Sequence, residues 1–132
     1  MIKKIGFTLV LLMALLQGFY GIFAFIDPIT FSTVRGTDLV STQDIDWIQI
    51  YASRTLFVAL IIGVLIYSKA YNILMWAALF GVVMPITDGL LAYQAGAALN
   101  VVVKHGATVL YLLITFLVLR AIVNKDKGDL FR

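Results

Sequence analysis

The run from Ile5 to Ile26 contains no charged residue and one strongly polar side chain, Gln17. As an α-helix its 22 residues reach roughly 33 Å, enough to cross a hydrocarbon core of about 30 Å. Few environments accept such a stretch. Lys3 and Lys4 ahead of it resemble the start of a secretory signal. The run exceeds an h-region, however, and Phe19, Tyr20 and Phe23 stand where a cleavage site needs small residues, so it reads as a retained helix. Asp27-Pro28 ends it, because a residue before proline is pushed out of the α region.

Three more apolar segments follow. The second opens on Ser41-Thr42-Gln43-Asp44, a capping-box-like start, and runs from about 44 to 68. The third covers about 70–93 and the fourth about 101–123. Between Arg54 and Lys69, and again between His105 and Arg120, there are 14 uncharged residues. That is short for a span unless the flanking basic side chains snorkel to the interface. Of the whole chain 62% is hydrophobic and 13% charged, against about half and about a quarter in soluble domains. The expectation is an all-α integral membrane four-helix bundle, with residues 1–132 as a single domain. Disorder, coiled coil and nucleic-acid binding are excluded for want of charge. No cysteine, no glutamate and one histidine leave no thiol chemistry and no ligand set for a metal, and nothing calls for a cofactor.

Four spans put both termini on one side. That side collects Lys3, Lys4, Lys69, Arg120, Lys125, Lys127 and Arg132. The other holds Arg35, with Arg54 and Lys104 near the membrane edge, against Asp27, Asp38, Asp44 and Asp46. The positive-inside rule predicts cytoplasmic termini in a bacterial-type inner (plasma) membrane. The basic tail is ordinary stop-transfer flanking. Trp47 and Tyr51 read as an outer aromatic belt, Lys104 as an interfacial snorkeller, and Trp76 as lipid contact or packing. Small-xxx-small pairs (Ala14/Gly18, Ala59/Gly63, Ala77/Gly81, Ala92/Gly96) suit close helix packing and allow a homo-oligomer.

The polar groups left over share a depth. Arg54 lies 15 residues before Lys69 and His105 lies 15 before Arg120, each roughly 22 Å along a helix. Asp88 lies 19 residues beyond Lys69, roughly 28 Å less any kink at Pro85. Gln17 is 13 residues past Lys4, roughly 20 Å, with Tyr20 one turn further. All five fall in one slab under the outer leaflet. Arg54 and Asp88 are the plausible charge pair there. His105 is placed to bond Asp88 or a ligand, and Gln17 or Tyr20 to complete the shell. Pro85 frees the carbonyl of Gly81 and invites a kink that opens this half of the bundle. Two readings stay open: a structural pair fixing helix register beside a satisfied core histidine, or a ligand or catalytic site.

Asp27-Pro28 with Phe31, Tyr51-Ala52-Ser53-Arg54, Asp88-Gly89 and His105-Gly106 resemble the small four-helix bacterial membrane proteins grouped as DoxX-like, which include domains of unknown function. The resemblance implies a four-helix bundle with an Arg/Asp/His polar site. Small multidrug transporters carry an intramembrane glutamate on the first helix, where this chain has Gln17. The functional expectation is binding of a lipid or amphipathic small molecule from the bilayer, with Arg54, Asp88, His105, Gln17 and Tyr20 as binding candidates. The alternatives are an accessory subunit of a membrane complex, or an enzyme in which His105 and Asp88 exchange protons on an isoprenoid or lipid. Proton-coupled transport ranks last, because the cytoplasmic half offers no polar path.

Overall fold

The computed structural model describes residues 1–39 and 41–130, the side chains of residue 42 and of residues 127–130 excepted. Its helices are α1 (Ile2–Ile26), α2 (Pro28–Arg35), α3 (Ile45–Tyr67), α4 (Tyr71–Gly81), α5 (Val83–Gln94) and α6 (Leu99–Leu130). A 3-10 turn at Thr42–Asp44 precedes α3. Among the described residues there is no strand. Four helices are long and apolar enough to cross a membrane: α1, α3, α4 with α5 as one broken span, and α6. Each keeps large apolar side chains on the outside, among them Leu15, Leu60, Phe80 and Leu110. A helix apolar on both its faces belongs in lipid.

Turn chemistry explains how the chain doubles back. Asp44 Oδ2 accepts from Ser41 N–H at 2.9 Å and Ser41 Oγ accepts from Gln43 N–H at 3.2 Å, reciprocal bonding that closes the 3-10 turn ahead of α3. α3 ends in a Schellman motif, with Ala70 N–H on the Leu65 carbonyl and Lys69 N–H on that of Ile66. The left-handed residue there is Lys69, at φ 53°. Pro85 lacks the N–H that the Gly81 carbonyl would accept. The third span is accordingly interrupted at Val82, between α4 and α5.

α1 lies along α3, and α6 lies along α4 and α5, while the two pairs touch each other far less. Close approach within pairs rests on small residues. A Cβ on Gly21 would come 2.6 Å from Leu56 Cγ, and Gly18 faces the Ala59 methyl. At the end that carries the termini the pairs are joined. Lys3 meets Asp126 at 2.9 Å, the Tyr111 hydroxyl donates to the Leu9 carbonyl, and Gly6 receives Ile122. The apolar core fills this half, with Val10, Ile62, Leu74, Leu119 and Ile122 drawn from all four spans. Arg132, one of the basic residues counted for topology, lies outside the described residues, and Lys127 is described by its backbone alone.

Toward the other, distal end that core stops. Among the described residues Ala24, Phe31 and Ala52 form a small buried cluster there. The connection between the first two spans holds a helix, α2, that turns back onto the bundle.

Candidate functional site

α2 starts one residue after α1 ends. Asp27 leaves the helical region (φ −140°, ψ 78°), and its Oδ1 accepts from Thr30 N–H at 3.0 Å. Pro28 takes the first helical position, where no N–H is needed. Asp27 is half-buried, and the Thr30 bonds hold its carboxyl below the usual 3.8. The C-terminus is a second Schellman motif around Gly36, at φ 82°. Two turns of helix between these signals bury Phe31 against Tyr20, Phe23 and Tyr51, with ring centroids 6.1, 5.6 and 5.4 Å apart. That wedge carries the end of α2 into the mouth of the bundle.

Arg35 arrives there. Its guanidinium carbon lies 5.6 Å from the Tyr20 ring centroid and 5.7 Å from that of Tyr51, within cation–π range of both. Its Nη2 donates to Asp88 Oδ2 on α5. The last carbonyls of α2 have no partners within their own helix. α6 supplies them: Lys104 Nζ donates to the Val34 carbonyl at 3.3 Å, and His105 Nε2 donates to that of Arg35 at 3.3 Å. A carbonyl only accepts, so this contact fixes the proton on Nε2. A Cβ on Gly89 would lie 3.1 Å from His105 Cβ, so α5 and α6 close tightly behind the ring. α2 is thus a strap. It leaves the α1–α3 pair and is tied to the α5–α6 pair at the end where the two pairs part.

Beneath the strap lies a cavity of about 360 Å³. Gln17, Tyr20, Arg54, Asp88 and His105 all line it, together with Arg35. The five polar groups grouped by depth in the sequence therefore face one space. Two of their expected contacts are corrected. Asp88 pairs with Arg35 and not with Arg54, because α2 brings a connecting residue down to span depth. Among the described residues Arg54 has no ion pair. His105 bonds a backbone carbonyl, not Asp88. Tyr51 is half-buried as a wall of the site, whereas Trp47 is exposed. Lys104 reaches the end of α2. Trp76 stacks on Phe80 at 5.7 Å, as packing requires.

A second cavity of about 160 Å³ lies next to the first, toward the bundle centre. Leu16, Gln17, Val58, Met84, Pro85 and Thr108 line both. Its remaining walls are apolar and come from all four spans, among them Met13, Ile62, Ala77 and Leu112. The two spaces together are polar at the distal end and apolar within, lying where the helix pairs separate.

Arg35, Tyr51 and Lys104 were not among the sequence candidates. A signal for Arg35 was present: Asp27-Pro28 is a cap followed by a proline at the first helical position, and Arg35-Gly36 is a helix end followed by its left-handed glycine. The profile of one family, described as a domain of unknown function (DUF4267), matches residues 14–119. The chain belongs to that family. Comparison with curated proteins and with solved structures finds no match.

Proposed function

We propose that this protein binds a lipid or amphipathic small molecule from the bilayer, head group in the distal polar cavity and apolar chain in the space below. The observation that carries the reading is that the polar and the apolar cavity share walls, Val58, Met84 and Pro85 among them. A ligand site is concave and mostly apolar, with a few polar groups that fix orientation. Gln17, Tyr20, Arg54, Asp88 and His105 are the head-group candidates, and Arg35 joins them. Binding is favoured over acid–base chemistry because Asp88 and His105 are both engaged, one by the Arg35 guanidinium and one by its carbonyl. The test is thermal unfolding of the purified chain across a panel of lipids, quinones and single-chain amphiphiles. Selective stabilisation of wild type, reduced in Arg54→Ala, is the expected result. A uniform response across the panel would sink the proposal.

The same proposal places the chain in a bacterial-type inner membrane with cytoplasmic termini. Its support is the basic excess at the terminal end, where Lys3, Lys4, Lys69, Arg120 and Lys125 gather. The distal cavity then faces the outer leaflet. The DoxX-like resemblance belongs to this proposal as well, since it implies an Arg/Asp/His polar site in a four-helix bundle. A reporter fused to the C-terminus, active only in the cytoplasm, checks the orientation.

A further inference from the structure

The amphiphile reading leaves the chemistry of the head group open, and the charges around the cavity narrow it. Three cationic side chains line the distal space, Arg35, Arg54 and Lys104, against one carboxylate, Asp88. That carboxylate is taken by Arg35. Lys104 donates to the Val34 carbonyl, which uses a proton without cancelling the charge. Arg54 has no ion pair among the described residues. An uncompensated guanidinium at membrane depth is costly, and it recovers that cost only by meeting an anion or water. Tyr51, Arg54, Thr55 and Val58 on α3 line the same space, so Arg54 stands on the cavity side of its helix. We infer that the head group is anionic, a phosphate or a carboxylate, held by Arg54 with Lys104 beside it. The inference rests on the amphiphile reading.

Geometry sets the rest of the ligand. A guanidinium offers two parallel N–H donors to a phosphate or carboxylate, whereas Lys104 acts as a point charge. From Arg54 to Leu65, which lines the inner cavity, the rise along α3 is about 16 Å. A dodecyl chain spans that length. A neutral head would leave Arg54 unmatched, and a cationic head would face like charge.

Titration of the full chain in digitonin with probes of one tail and different heads tests this. The probes are dodecyl phosphate, dodecanoate, dodecyl glucoside, dodecyltrimethylammonium and inorganic phosphate. Both anionic dodecyl probes are expected to bind about tenfold or more tightly than the glucoside, the equivalent of a charge-assisted hydrogen bond. Arg54→Gln is expected to bring them to the glucoside level, and Arg54→Lys to keep most of the difference. Equal binding of the glucoside or the trimethylammonium probe, or no effect of Arg54→Gln, overturns the anionic head and leaves the amphiphile reading standing. No binding by any dodecyl probe overturns both. Inorganic phosphate binding as tightly as dodecyl phosphate upholds the anion site and overturns the amphiphile reading. Should Arg54→Gln fail to fold, Lys104→Gln provides the same contrast.

Discussion

At the scale of single residues, two arginines lining one cavity do different work. Arg35 is enclosed, with 15% of its side chain exposed, and Asp88 beside it is at 29%. Removing one partner of such a pair leaves a charge without compensation. Arg35→Ala is therefore expected to lower stability by about 2 kcal/mol, after discounting a buried-pair loss for this partial exposure. Arg54→Ala is expected to change it by no more than about 0.5 kcal/mol, as at an ordinary exposed site. Chemical unfolding in detergent measures both, and equal losses would contradict the division of roles. Asp27 makes a second prediction. Its Thr30 bonds hold the folded carboxyl below 3.8, so its contribution to α2 is complete above that pH. The contribution fades as the pH falls through the lower folded value. Exchange of the Thr30 amide should quicken only below pH 3.8, and Asp27→Asn, which keeps the cap without the titration, should remove that step.

Among the elements, the strap and the turns decide what was legible. Three helices end in left-handed residues: Gly36 after α2, Gly96 after α5, and Lys69 after α3. Lys69 carries a Cβ where glycine is unstrained, so Lys69→Gly is expected to stabilise by about 1 kcal/mol. Gly36→Ala should do the reverse and cost about 2 kcal/mol or more, through φ and crowding together. A Cβ there would lie 2.8 Å from Val101 Cγ1 and 2.9 Å from the Ala97 methyl. Calorimetry on both variants checks the opposite signs. The four spans were readable because lipid demands long apolar runs, and the break near Pro85 because proline removes a donor. Depth arithmetic grouped Gln17, Tyr20, Arg54, Asp88 and His105, which line one cavity, since each sits on a span with a counted rise. It misassigned the partner of Asp88, since Arg35 sits on a connection whose depth no rise can supply. Small-residue spacing was also a partial guide. Gly18 faces Ala59, yet Gly63 has nothing within 4 Å and Gly96 serves a turn. The tighter approaches at Gly21 and Gly89 follow no such pair.

The whole molecule is two helix pairs joined at the terminal end and parted at the other. The core and the Tyr111–Leu9 and Lys3–Asp126 contacts hold the first. The strap bridges the second, over a space polar at its mouth and apolar beneath. Val58 lies where the two cavities meet. Val58 packs against the edge of the apolar core, and a phenylalanine there takes up space between the two cavities. The most direct measurement is native mass spectrometry of the chain extracted gently from its membrane, as wild type and as Val58→Phe. The account predicts a single retained amphiphile on wild type that the folded Val58→Phe variant has lost. The same bound mass on both, or none on wild type even after incubation with membrane lipids, would contradict it.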